Sequence, residues 1–209
     1  MIHPDTEVRH VSDNIGYGVF AKKFIPKGTI VYAKDSLEIE VTEAQYAKHP
    51  KAMQDVIEKY SYIDEKGVRI LSWDFAKYVN HNCNRNTIST GYGFEIAIRD
   101  INPGDEITDE YGIFNLDVTF SCGCGAVNCR GVIQPEDLDN LAPIWDIEIK
   151  DALMSLYKVE QPLLNLVDEK TKKELDALFI DPSKFKSINN LRYSKKNEIA
   201  KKEKVLARK

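Results

Sequence analysis

Cys122, Cys124 and Cys129 stand in the run Cys-Gly-Cys-Gly-Ala-Val-Asn-Cys, a CxCx4C spacing. Three thiolates so placed can converge on one zinc ion, and a structural zinc site closes with four ligands in a tetrahedron. The chain has four cysteines, the fourth being Cys83 far upstream. An even count also fits two disulfides or four buried thiols. After Met1 no cationic region leads into an apolar stretch, so no secretory signal is visible and an intracellular, reducing location is expected. In such a compartment clustered cysteines bind metal or do chemistry more often than they cross-link. Spacing supports three ligands and leaves Cys83 open.

Other chemistry-bearing residues lie near these cysteines in sequence. Cys83 sits inside Asn80-His81-Asn82-Cys83-Asn84-Arg85-Asn86, and Tyr111 ends the acidic stretch Gly104-Asp105-Glu106-Ile107-Thr108-Asp109-Glu110. On a strand those carboxylates alternate faces, and an exposed edge explains them without any acid–base role. Gly16-Tyr17-Gly18-Val19-Phe20-Ala21 has the letters of a dinucleotide fingerprint, but Pro26 and Gly28 come too soon for the helix that fingerprint requires. A tight turn, or a backbone that something approaches closely, is the better reading.

The elements that must carry these residues are short. Strand composition between turn signals appears at 8–11, 17–22, 29–33, 37–41, 60–63, 68–71 and 94–98. Asp64-Glu65-Lys66-Gly67 reads as a hairpin turn. Thr42-Glu43-Ala44-Gln45 is a capping box, and Pro50 suits the opening of a second helical stretch. Strands and long helices do not alternate, which argues against a doubly wound parallel sheet. Beyond Arg130 the period becomes helical through Leu138, Leu141, Trp145, Ile149 and Leu153, with Pro143 placed at a helix start. A second amphipathic piece holds Leu175, Leu178 and Phe179 and stops at Asp181-Pro182. Lys195–Lys209 is a basic tail, read as a solvated end rather than a contact surface. Trp73 is assigned to the core.

With 209 residues and 43% hydrophobic content the chain can bury a sizeable core. No apolar run is long enough to span a bilayer, so no membrane partner is expected. The net charge of −4 counts against nucleic acid as a partner. A zinc-ribbon-like nucleic-acid binder would rest on the cysteine spacing and the tail alone.

Four stretches in order resemble a SET domain with a post-SET zinc segment, the fold of most protein-lysine methyltransferases. Gly16–Ala21 resembles the GxG segment, and Asn80–Asn86 the NHxCxPN signature. Gly104–Tyr111 resembles the GEEL-T-x-D-Y strand, and Phe120–Gly131 the post-SET cysteine run with its Arg-Gly. Together they frame about 8–134. The resemblance implies a mostly β fold with α elements, small β-sheets around a knot-like core, followed by a helical C-terminal extension. It divides the chain into 1–134, with an insert at about 42–60, and 135–209.

The resemblance also implies the site. Cys83 joins Cys122, Cys124 and Cys129 on structural zinc. Gly16, Tyr17, Gly18, Asn80, His81, Tyr111 and Phe120 hold S-adenosyl-L-methionine. Tyr111 is catalytic, with Tyr60 preferred to Tyr62 as a second channel tyrosine. The implied activity is methyl transfer to the lysine ε-amine of a protein or peptide partner. Two positions depart from the pattern. Arg85 replaces a proline, and Asp109 occupies a position that commonly carries an aromatic residue limiting the number of methyl groups added, so the degree of methylation is left open. These departures motivate the alternative of a catalytically weak or inactive interaction module. Oligomeric state is not legible.

Overall fold

A computed structural model of the protein describes residues 1–193; the basic tail at 195–209 lies outside the described residues. Twelve short strands precede the long C-terminal helices. They are β1 (Thr6–Ser12), β2 (Gly16–Ala21), β3 (Ile30–Ala33), β4 (Ile39–Val41), β5 (Ser61–Ile63), β6 (Arg69–Leu71), β7 (Asn80–His81), β8 (Thr87–Ser89), β9 (Phe94–Ala97), β10 (Glu106–Asp109), β11 (Phe120–Ser121) and β12 (Val132–Ile133). The α-helices are α1 (Glu43–Tyr46), α2 (Lys51–Tyr60), α3 (Asp137–Leu153) and α4 (Glu169–Ile180). Four small sheets result, ordered β1-β2-β10-β7, β3-β9-β8, β4-β6-β5 and β11-β12. The expected class is met: small β-sheets with helices and a helical C-terminal part.

Strand β10 is the junction on which the site depends. Its first half pairs antiparallel with β2, Ile107 opposite Val19. Its second half pairs parallel with β7, Thr108 opposite Asn80 and Asp109 opposite His81. The glycine segment, the Asn-His segment and the acidic strand are thereby laid side by side. Around them the local signals act as their chemistry requires. Thr42 and Gln45 form the reciprocal capping box of α1. Gly67, at φ +77°, closes the β5–β6 hairpin, where a side chain would strain the turn.

The C-terminal helices pack into the same core as the sheets. Leu138, Trp145 and Ile149 of α3 are buried with Ile30, Ile88, Phe94 and Ile96 of β3, β8 and β9. Pro143 is not at a helix start; it lies inside α3, which begins at Asp137. An interior proline removes a helical hydrogen bond and costs about 3 kcal/mol, and here the burial of Leu138, Ala142, Trp145 and Ile149 along one face offsets it. Trp73 is not a core residue either. It is 44% exposed, and its indole N–H donates to Asp35. Among the described residues no helix is long and apolar enough to cross a membrane.

Because α3 and the sheets share one core, Trp145→Ala is expected to cost about 3–5 kcal/mol. The loss should appear in chemical denaturation as one cooperative transition that moves for β-sheet and helical signals together. Separate transitions would show that the helical part folds on its own.

Candidate functional site

A cavity of about 400 Å³ opens beside the end of β10. Tyr60 and Tyr62 form one wall; Tyr111, Phe114 and Phe120 form another; Tyr32, Glu95 and Asp109 also line it. Both tyrosines weighed from sequence therefore reach the cavity. Tyr62 packs on Phe114, while Tyr60 meets Tyr78, which in turn meets Tyr17. The last contact joins the cavity wall to the glycine segment, where Tyr17 is exposed.

Tyr111 lies one residue beyond β10, which holds it close to the sheet. Its backbone N–H donates to His81 Nδ1 at 3.2 Å, and its hydroxyl donates to the Val79 carbonyl at 2.8 Å. Burial, then the carboxylates of Asp109, Glu95 and Glu106, raise its pKa and keep the phenol neutral. Asn80 ties three strands together, its amide donating to Glu106 Oε1 at 2.7 Å and to the Tyr17 carbonyl at 3.1 Å. Gly18 sits under this contact, and a Cβ there would lie 2.4 Å from Glu106 Oε1. A side chain there would push the Glu106 carboxylate and the Val11 side chain aside and disturb the Asn80 contact.

The four cysteines converge. Cys83 Sγ lies 3.8 Å from Cys122 Sγ, the Cys83 N–H points at Cys124 Sγ from 3.5 Å, and Cys129 Sγ is 3.7 Å from the Cys122 carbonyl. Ligand atoms of His81, Cys83, Cys122 and Cys124 lie within 4.8 Å of one another. The N–H groups of Arg130 and Gly131 point at Cys83 Sγ and Cys129 Sγ. Burial opposes ionisation of Cys124, but the N–H groups of Cys83 and Ala126 and the neighbouring thiols outweigh it and bring its pKa down to about 7. Donors aimed at sulfur and a ready thiolate are what a metal-binding thiol cluster requires.

Two adjacent carboxyls near Tyr111 are buried, contrary to the exposed-edge reading. Asp109 is 1% exposed and Glu110 0%. Glu110 accepts both arms of Arg130, at 2.7 and 2.6 Å. Arg85, 7% exposed, approaches Glu110 at 3.9 Å and pairs with Glu148 of α3. Both guanidinium groups lie over Trp145. Asp109 has the opposite surroundings. Neither of its carboxyl oxygens has a hydrogen-bond partner among the described residues, and the Glu95 carboxyl faces it. Burial followed by this neighbour pushes Asp109 well up; burial brings Glu95 to about 7. Sequence reasoning missed Glu95, because one acidic residue in the alternating strand Phe94–Ala97 reads as its solvent face.

Residues 16–112 match the family model described as SET domain. The Variant-silencing SET domain-containing protein of Plasmodium falciparum is 31% identical over 60% of this chain and 5% of its own length. Histone-lysine N-methyltransferase mes-4 of Caenorhabditis elegans is 30% identical over 56% of this chain and 16% of its own length. The chain therefore spans a small part of these relatives. Among solved structures, KRYPTONITE in complex with mCHH DNA, H3(1-15) peptide and SAH aligns at a TM-score of 0.44 and 22% identity, over 63% of this chain and 30% of that one.

The two kinds of carboxyl give opposite pH signatures. Burial works against the Glu110 charge, but Arg130 outweighs it and holds the pKa below its ordinary 4.5. Its stabilisation is present above about pH 4.5 and is lost as pH falls through the depressed value. Arg130→Met, which strands this charge, should cost about 3–5 kcal/mol at pH 7, a penalty that shrinks in acid melts. Glu95 is raised from 4.5 to about 7, so its contribution is full below 4.5 and is lost as pH rises through 7. Thermal melts of Glu95→Gln should match the unsubstituted protein at pH 4 and exceed it at pH 8.

Proposed function

We propose that this chain is an S-adenosyl-L-methionine-dependent protein-lysine N-methyltransferase whose Cys83, Cys122, Cys124 and Cys129 hold a structural zinc ion. The observation that carries this reading is the cavity walled by Tyr60, Tyr62 and Tyr111, set against the Asn80 and Tyr17 segment inside the SET match. The relatives named as histone-lysine methyltransferases support it and make histones the first substrates to try.

The chemistry of the residues fits both groups. The cofactor supplies an electrophilic methyl on a sulfonium, and Tyr17, Tyr78 and Tyr60 offer a run of aromatic faces of the kind that attracts such a cation. Gly16, Tyr17, Gly18, Asn80, His81 and Phe120 surround that region in the proposal. For the metal, His81 and Cys129 compete as the fourth ligand, and the His81 hydrogen bonds favour Cys129. Its Nδ1 accepts the Tyr111 N–H, so Nε2 carries the proton and donates to Cys83 Sγ, 3.3 Å away. Burial keeps the ring neutral. His81 then supports a ligand rather than acting as one, and Cys129 completes the set. Held by these cysteines, the ion would be structural and would tie residues 120–131 to the Asn-His segment.

Tyr111 orients the amine. With its proton committed to Val79, its oxygen presents lone pairs to an incoming N–H. Tyr60 and Tyr62 form desolvating walls that favour the neutral amine over the ammonium. Arg85, the departure from the NHxCxPN pattern, is accounted for by its pair with Glu148 and gives no support to a binding-only module.

Incubated with methyl-labelled cofactor and core histones, the protein should transfer label, and Tyr111→Phe should lose at least about 10²-fold in kcat, the range of a lost positioning group. About one zinc per chain is expected by atomic absorption, and Cys83→Ser should release it. Absence of cofactor binding by calorimetry would remove the methyltransferase reading.

A further inference from the structure

The Glu95–Asp109 carboxyls meet each other rather than a cation. Asp109 is the last residue of β10, two residues before Tyr111, and Glu95 stands on β9 opposite Tyr32. Both line the cavity. Asp109 is almost wholly enclosed, and apart from a proton shared with the Glu95 carboxyl neither of its oxygens meets a donor among the described residues. Such a group lowers stability, and it does not organise its neighbours as Glu110 does. No cluster of three metal-ligating side chains among the described residues includes it. What would satisfy it is a small cation with N–H donors, and the tyrosine-walled cavity admits one narrow enough to pass.

We propose that Glu95 and Asp109 form the acidic floor of the substrate channel, which receives the protonated amine of the substrate side chain and takes one proton from it; this rests on the methyltransferase reading above. An alkylammonium has three N–H groups, and the floor offers acceptors for them on Glu95, Asp109 and the Tyr111 oxygen. The pair begins with one proton between two carboxyls, since two charges so close are not held together. In the transfer an N–H bond breaks, its electrons stay on nitrogen, and an O–H bond forms on the ionised carboxylate, Glu95. The neutral amine is then free to use its lone pair. Glu95, the less enclosed of the two, returns the proton to solvent through the open cavity.

The charged and titratable surroundings are consistent with this assignment. Glu110 and Arg85 act on Asp109 from either side, the Met1 amino group acts on Glu95, and Glu106 lies towards Tyr111. Tyr32 and Tyr62 are held neutral by burial. Lys59, Lys77 and Arg69 line the cavity with Glu58 and Asp117.

Two measurements on the full chain decide the matter. In methyl transfer to core histones, Glu95→Gln and Asp109→Asn should lower kcat/KM about tenfold or more near pH 7 and recover towards alkaline pH, where the amine loses its proton unaided. A loss of equal size at every pH, or no loss, overturns the proposal. Independently of activity, n-butylammonium chloride should raise the melting temperature of the unsubstituted protein more than sodium chloride or n-butanol does. The Glu95→Gln/Asp109→Asn double variant should lose that difference. If butylammonium protects and no label is ever transferred, the acidic floor stands and the methyltransferase reading fails. If label is transferred and butylammonium protects both proteins equally, or neither, the floor fails and the methyltransferase reading stands.

Discussion

The Glu110 carboxylate, buried between Arg130 and Arg85, is the contact on which the rest of the site depends. Glu110 adjoins Tyr111. Arg130 adjoins Cys129, and Arg85 lies two residues beyond Cys83. One ionic cluster therefore fixes the tyrosine, the cysteine run and the Asn-His segment relative to one another. Through Glu148 and Trp145 it also joins them to α3. A charge placed at zero exposure is tolerable only because both of its oxygens accept charged donors. That requirement makes the geometry rigid: shifting any one of these segments would leave a buried charge uncompensated.

Asp109 and Glu110 show how strongly context outweighs residue type. They are consecutive, both carboxylic and both buried. Strand geometry sends their side chains to opposite faces. One meets two guanidinium groups and stays ionised; the other meets a carboxyl and a cavity and is driven towards its neutral form. The first serves the fold. The second burdens the fold, which is the expected mark of a group retained for what enters the cavity.

Much of the chain was legible from sequence because its signals are local. The capping box at Thr42, the turn at Gly67, the stop at Asp181-Pro182 and the helical period after Arg130 each concern a few neighbouring residues. Errors arose where long-range packing overruled a local rule. Pro143 sits inside a helix because the core face of α3 outweighs one missing hydrogen bond. Trp73 lies outside the core, tied to Asp35. The exposed-edge reading of Asp109 and Glu110 failed because covering that edge depends on residues far along the chain.

The sequence by itself determined the inventory: three cysteines at metal-binding spacing, an ordered set of four motifs, and a tyrosine at the end of an acidic strand. Those properties are fixed by covalent neighbours. Only the tertiary structure decided that Cys83 meets the other thiols, that Tyr60 and Tyr62 share a cavity with Tyr111, that Arg85 supports α3, and that Glu95 faces Asp109. Each of these pairings joins residues distant in sequence. Their interaction energies depend on burial and mutual distance, quantities that do not exist until the sheets and helices close on one another.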